Sequence, residues 1–414
     1  MSRCPVAHEF HPESGPDNGE LHRVLARARQ EEPIFFWEPL GAWVVTRYDD
    51  VKAVLEDTER FTQKGILAPT PEGFAPPVTE ILHGGRAKLN VTAMLGNFDG
   101  PDHKRLRQAI HRSFTPRRVK RLEPEIRAIV DECLDDMLAR GREADVIESL
   151  TYRVPIRAVF LLSGFPAGHL DQLKKWSDDL AALIASPLPL ERQIECAKSY
   201  RAFEDYVYAA IEACRARPRD GFMSDLLRSV DAGEVVMDDA ELLMLFTINL
   251  LLAGHETTTY AMTSLLFHVL SRPGVWKRIV EDASCIPATV EEALRIEPPM
   301  LGFWRFVATD TSFQGVEMKA GDKVYWLNAS ANHDDAAFER PDEFDVDAER
   351  ALPALTFGFG AHYCLGAQLA KLELEILLER LRVRMPDLAL APDQDVAYEP
   401  HPVFRHIHAL RVTW

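Results

Sequence analysis

The start of this chain has no apolar run of about twenty residues, and MSRCPVAHEFHPESGPDNGE has no apolar core. No signal peptide or membrane-spanning start is therefore expected, and the expectation is a soluble, cytoplasmic protein. Cysteine is sparse: Cys4, Cys133, Cys196, Cys214, Cys285 and Cys364 show no paired spacing. That excludes a disulfide framework and fits reduced thiols in a reducing compartment. Basic residues are in deficit, 47 Lys and Arg against 64 Asp and Glu, giving a net charge of −17. Nucleic acid or an anionic membrane is then a poor choice of main partner. Repeats and low-complexity segments are lacking as well. What remains is a 414-residue chain of ordinary apolar share, long enough to bury a large core. Length alone would suggest two or three domains.

The stretch around which the rest is organised is FGFGAHYCLG, Phe357 to Gly366. Phe357, Gly358, Phe359 and Gly360 form a glycine-punctuated loop, and an apolar-periodic run from Leu365 to about Leu381 reads as a helix. A cysteine just ahead of a helix lies near backbone N–H groups and the positive end of the dipole, which favours thiolate. No second cysteine or histidine stands at zinc-site spacing, and His362 is too close to complete one. One anionic sulfur, with Gly366 leaving room above it, suits a large flat cofactor held through a single axial ligand. The plain alternative is a buried structural cysteine beside a glycine turn. At Phe357, Gly360, His362, Cys364 and Gly366 the stretch resembles the haem-binding signature of the cytochrome P-450 superfamily. The resemblance implies thiolate-ligated haem b; since eukaryotic relatives in the family are usually membrane-anchored, a chain of bacterial type is expected.

Taken in order, residues 20–31 read as a helix, and 33–37 and 42–46 as two strands joined around Pro39–Gly41. Tyr48–Leu55 is a short helix that Asp49 or Asp50 would cap. Residues 61–98 are rich in proline and glycine yet apolar, a long loop of the functional kind. In the resembled family this region closes over the substrate, so a lid is expected; a variable surface loop is the alternative. Asp99 and Pro101 open a helix to Thr115, with His103 and Arg107 on one face. The resemblance makes that pair haem-propionate ligands. Arg112, Arg117, Arg118, Lys120 and Arg121 crowd together in an acidic chain. They are either a solvated helix junction or a docking patch for an acidic electron-transfer protein. Helical patterns follow at 123–140, 148–163, 167–185, 190–216 and 221–230, interrupted at Ser186–Pro187 and Pro189.

From Asp239 to Leu270 runs one long apolar-periodic segment with Ala253-Gly254-His255-Glu256-Thr257-Thr258 at its middle. Glycine beside threonines invites a local break. All six positions match the family's Ala/Gly-Gly-x-acid-Thr-Thr/Ser motif, in which the acid and hydroxyl relay protons to dioxygen. A kinked core helix is the alternative. Counting back by turns places Ala253 and Asn249 on the face of Thr257, with Leu252 bordering the same space. Met300, Leu301, Phe303, Val403 and Phe404 are expected as apolar walls of a substrate pocket. There Asn249 either reads a polar group on the substrate or bonds to its own helix or the lid. Glu292 and Arg295, ahead of Pro298–Pro299, resemble the family's structural E-x-x-R pair, and Arg305 a further propionate ligand.

Two departures stand out. The family's Pro-x-Arg-Phe element is here Pro341-Asp342-Glu343-Phe344, so Glu343 cannot be the bracing cation; either Arg340 or Arg350 replaces it or the bracing differs. The histidine of many relatives before the cysteine loop is Ala354, which leaves propionate binding to His103, Arg107, Arg305 and His362. The implied layout is an extension, 1–19, and one mostly α domain with a smaller β region, 20–414. The implied activity is oxygen insertion from O2 into a small lipophilic substrate: hydroxylation, epoxidation or O-dealkylation. NAD(P)H electrons would arrive through a ferredoxin or flavodoxin and its reductase, docking near Arg112, Arg117 and Arg118, since the chain ends at Trp414 without a fused reductase. A peroxide-driven peroxygenase or a haem-based sensor is the alternative; peroxygenases of the family tend to lack the acid–threonine pair.

Overall fold

Apolar residues flanking Pro39–Gly41 form the expected hairpin, Ile34–Trp37 (β1) against Ala42–Val45 (β2), with Ile34 opposite Val45. The remaining strands are Phe61–Thr62 (β3), Glu143–Asp145 (β4), Phe303–Val307 (β5), Thr311–Phe313 (β6), Val316–Met318 (β7), Lys323–Trp326 (β8), Ala389–Leu390 (β9) and Arg411–Thr413 (β10). They are the minor part of a mostly α protein. This computed structural model describes residues 5–12, 18–66, 73–86, 91–165, 167–185 and 188–414. The chain divides into two compact units: Met1–Thr62, Ile126–Val154 and Thr257–Trp414 form the first, Gln63–Glu125 and Pro155–Glu256 the second.

In the first unit the main sheet has the order β1-β2-β8-β5-β3, antiparallel throughout except between β2 and β8. Alternation along its strands feeds two cores. Val44 and Tyr325 join Val6, Phe10, Leu25 and Trp37 on one side. Val45 and Val324 join Tyr48, Val51, Val54, Phe61 and Leu355 on the other. Phe10 meets Trp37 edge-on at 5.1 Å, a pairing worth about 0.5–1.5 kcal/mol beyond area. Val6 and Phe10 lie within the segment read as an extension, yet each is only 1% exposed.

The Tyr48–Glu56 helix corrects an expected cap. Its N-cap is Arg47, and neither Asp49 nor Asp50 caps it. The carboxylate comes from afar: Asp334 Oδ2 accepts from the Tyr48 N–H at 2.8 Å. Asp50 instead turns inward and accepts from Gln314 Nε2 at 2.7 Å.

The second unit is built on a 27-residue helix, Leu190–Ala216. Proline occurs only at its N-cap, Pro189, and buried Ala197, Tyr200, Phe203, Glu204, Val207 and Ile211 recur at helical spacing. Trp176 of the Leu170–Ala185 helix stacks on Phe203 at 5.7 Å. The described part of 61–98 is not the plain loop expected. Pro76 and Pro77 open a helix to His83, which buries Val78 and Leu82, and short 3-10 turns follow at Val91–Ala93 and Leu95–Asn97. The interruption read at Ser186–Pro187 lies outside the described residues.

The long segment begins with a full capping box, Asp238 and Glu241. Its irregularity is not at the Gly–Thr run, as expected, but one step earlier: Leu245–Leu252 is π-helical and regular α-helix resumes at Ala253, continuing to Leu270. Gly254 has a packing reason instead. A Cβ there would stand 2.9 Å from Val159 Cγ2, so glycine lets the Arg153–Ser163 helix approach.

Candidate functional site

Cys364 sits on the first unit at the end of two short turns, Leu355–Phe357 and Gly360–His362. Gly358 and Gly360 take φ of 70° and 71°, a left-handed backbone that side chains resist. A Cβ on Gly360 would also come 3.3 Å from the Leu55 carbonyl. The Cys364 N–H donates to Phe357 O at 2.9 Å and closes the loop on itself. Lys52 lies over the Phe359 ring at 4.7 Å and Lys371 over Phe357 at 5.4 Å, each cation–ring contact stiffening it. The thiol is exposed. A Cβ on Gly366 would stand 3.8 Å from the sulfur, so glycine keeps that side open. The following helix runs Ala367–Arg384 with Gly366 as N-cap, two residues later at its start than expected.

The loop is anchored by the Glu292–Arg295 pair, bidentate at 2.8 Å on both bonds and almost fully buried. Arg295 also donates to Asn332 O and Pro341 O, both at 2.7 Å, and to Glu343 O at 3.1 Å. Glu343 thus contributes its carbonyl, not its charge. The missing cation is Arg350, whose Nη2 reaches Glu292 Oε1 at 2.9 Å. Arg340 is spent elsewhere, on Glu343 and Asp345. Asn332 then passes the anchoring on: its Oδ1 accepts from Leu355 N at 2.7 Å and its Nδ2 donates to Thr356 Oγ1 at 3.0 Å.

Arg305, fully buried on β5, donates through Nη1 to Val54 O at 3.0 Å and Phe61 O at 3.2 Å. His362 is half-buried. Of the expected pocket walls, Met300 bridges to Phe404, and Leu301 N–H donates to Val403 O at 2.7 Å. This brings 300–301 and 403–404 together. Leu301 is nevertheless a correction: it is 4% exposed within the core of Phe10 and Trp37, because alternation turns it away from the side of Met300. Val403 is equally buried. Phe303 and Phe404 stay half-buried. His401 went unread in the sequence, although its Nδ1 accepts from both Val403 N and Phe404 N and fixes that turn.

On the second unit, Asp99 is the N-cap residue of the Gly100–Ser113 helix, but its Oδ2 accepts from Gln63 N at 2.7 Å rather than capping. His103 is buried and Arg107 half-buried on that helix. Ala253 is exposed and Leu252 half-buried. The π-helical stretch breaks the turn-counting that aligned Asn249 with Thr257. Asn249 Oδ1 accepts from Leu95 N at 3.4 Å, the overlying-segment alternative of the two. Burial pushes the Glu256 carboxyl up to about 7, and the nearby Asp178 charge adds to it. Asp178, His255 and Glu256 each place a ligand-capable atom within 4.8 Å of the others. Asp178, paired with Lys174 at 2.5 Å, looks in sequence like any solvated i,i+4 pair and gave no signal.

The expected arginine patch is only partly open. Arg112 is exposed, 3.9 Å from Glu234. Arg117, Lys120 and Arg121 are exposed on the Pro116–Arg121 helix. Arg118 is not: its side chain is 12% exposed and paired with Asp225.

The cytochrome P-450 family profile matches residues 170–395. Mycinamicin IV hydroxylase/epoxidase of Micromonospora griseorubida is 33% identical over 376 residues, 90% of this chain and 89% of that protein. This chain belongs to the cytochrome P-450 family. Nocardicin C N-oxygenase of Nocardia uniformis subsp. tsuyamanensis is 32% identical, covering 99% of this chain and 97% of its own. Among solved structures, cytochrome P-450 CREJ in complex with (4-ethylphenyl) dihydrogen phosphate superposes with a TM-score of 0.88 at 35% identity, over 99% and 100% of the two chains. As a member of the family, this P-450 is a haem-thiolate monooxygenase, an oxidoreductase carrying haem b and drawing NAD(P)H-derived electrons through redox partners. The donor set fits that group: one exposed thiol on an anchored glycine loop, with no Cys/His/Asp/Glu trio around it among the described residues. No helix among the described residues is long and apolar enough to cross a membrane.

Proposed function

We propose that Cys364 is the axial thiolate, that His103, Arg107, Arg305 and His362 hold the haem propionates, and that Glu256 with Thr257 delivers protons during oxygen insertion into a small lipophilic substrate. The observation that carries this reading is the exposed Cys364 sulfur on a loop pinned through Leu355 and Thr356 to the buried Glu292–Arg295–Arg350 network. When bound, haem supplies dioxygen activation, and a thiolate ligand favours O–O cleavage. The protein's part is positioning and proton supply. Glu256, with its carboxyl near neutrality, both holds and releases a proton at working pH, as a general acid should. Thr257, its neighbour in the chain, offers the hydroxyl through which that proton passes on.

Met300, Phe303 and Phe404 give apolar surface at the second half of the chain, and Leu252 and Ala253 at the π-to-α junction. They favour an apolar substrate body. The names of relatives, acting on mycinamicin IV, nocardicin C and a steroid, support a small organic substrate, and the lid reading of 61–98 goes with it. For the redox partner, Arg117, Lys120 and Arg121, with Arg112, make a cationic surface on a chain of net charge −17. An acidic ferredoxin or flavodoxin is the partner that such a surface attracts.

Cys364→His tests the centre of the reading. Haem should still bind in part, and the reduced carbon monoxide complex should lose its thiolate-type spectrum together with monooxygenation. Retention of that spectrum would remove Cys364 from the iron.

A further inference from the structure

We propose that Asp178, His255 and Glu256 form a binding site for a zinc ion or a comparable borderline divalent cation. Their ligand-capable atoms all lie within 4.8 Å of one another, so a small turn of the Asp178 or Glu256 side chain gathers all three around one ion at ordinary metal–ligand lengths of about 2.0–2.2 Å. The set is a mixed one: an imidazole nitrogen and two carboxylates, with space in a tetrahedron for water. Such donors select zinc over calcium or magnesium, which want oxygen alone.

A second observation, independent of the clustering, concerns the imidazole. His255 is completely buried, and its Nδ1 donates to Leu251 O at 2.7 Å. That bond fixes the tautomer with the proton on Nδ1 and leaves Nε2 as the lone-pair nitrogen. A carbonyl holding the far N–H is the usual outer partner of a metal-binding histidine. The scaffold is rigid too, since His255 and Glu256 start the regular α-helix after the π-helical stretch and Asp178 comes from the Leu170–Ala185 helix. Lys174 holds Asp178 at 2.5 Å, with both side chains partly exposed. An exposed i,i+4 pair is weak, so a divalent ion displaces the ammonium. Bound there, the ion occupies the Glu256 carboxylate and blocks it from passing a proton. Zinc therefore acts as a reversible brake on proton delivery, a consequence that rests on the role proposed for Glu256.

The test is a zinc titration of the full, haem-loaded protein against a competing chelator dye, followed by absorption spectroscopy at the zinc edge, which haem iron does not obscure. One zinc ion per chain with nitrogen and oxygen neighbours is expected. Asp178→Asn, a change at a partly exposed side chain, should weaken binding at least tenfold, and His255→Gln likewise. Equal affinity in Asp178→Asn and the wild type, or sulfur neighbours around the zinc, would place the ion on the free cysteines and overturn the site. Peroxide formed per NAD(P)H, measured with and without zinc, separates the two claims. A rise in the wild type that vanishes in Asp178→Asn supports both. Zinc bound at the site with unchanged coupling keeps the site and overturns Glu256 as the proton source.

Discussion

At the scale of single residues, Glu256 decides most. Burial and the Asp178 charge raise its carboxyl to about 7, so below that pH it carries a proton and above it the proton is lost. Product formed per NAD(P)H should fall as pH rises through about 7, and Glu256→Gln should flatten that step. A profile unchanged by the substitution would mean another group feeds the reaction. Thr257→Ala should leave substrate binding intact and divert electrons to peroxide, read as peroxide per NAD(P)H, although an ordered water can stand in for the hydroxyl. Asn249 shows the opposite outcome. Its bond to Leu95 N satisfies an acceptor that an apolar wall would leave costly, about 1–3 kcal/mol, and this makes it a tie to the overlying segment before anything else.

At the scale of elements, the anchoring of the cysteine loop is a buried ion network, and its parts are not equal. Arg295 serves Glu292 and three carbonyls, so Arg295→Ala leaves the buried Glu292 with Arg350 as its remaining cation and three carbonyls short of a donor, and should cost about 3–5 kcal/mol, with loss of haem. Arg350→Ala removes one part-buried charged bond to Glu292, about 1.5–3 kcal/mol, and an exposed bond to Glu339 O that water replaces. Urea midpoints and haem content of the two variants should rank in that order. The Pro116–Arg121 helix divides in the same manner. Arg117→Glu with Lys120→Glu should slow reduction by an acidic ferredoxin and flatten its salt dependence, with stability unchanged. Arg118→Ala should do the reverse, lowering stability through the lost Asp225 pair while the salt dependence of reduction stays. Stopped-flow reduction at two ionic strengths, beside thermal unfolding, tells the two apart.

At the scale of the whole molecule, acid sensitivity should begin well above the carboxylate range. Burial, then the adjacent His333 charge, depresses His22 to about 3, and its ring lies 4.2 Å from His333. A depressed histidine adds stability that is complete above its unfolded pKa of 6.5 and is lost as pH falls toward 3. Burial lowers His255, His401 and His406 as well, so all act in one direction. From pH 7 to 5.5 His22 contributes a loss of about 1 kcal/mol. His22→Gln should reduce the drop in urea-unfolding free energy over that interval by that amount; an identical drop would show that His22 titrates alike in both states.

The sequence by itself determined the chemistry and the order of the parts. Phe357–Gly366, the acid–threonine pair and Glu292–Arg295 are short contiguous patterns whose spacing is local geometry, so they could be read without a fold. Helix positions followed for the same reason, since 3.6-residue periodicity is written in neighbours. Tertiary structure alone decided which partners meet. That Arg350 and not Arg340 completes the Glu292 network, that Asp334 caps the Tyr48 helix, that Leu301 faces a core and that Arg118 is withdrawn from solvent all depend on residues distant in the chain. The π-helical stretch at Leu245–Leu252 belongs to that group. It shifts every facing residue before Ala253, and an apolar run reads the same whether its turns are α or π.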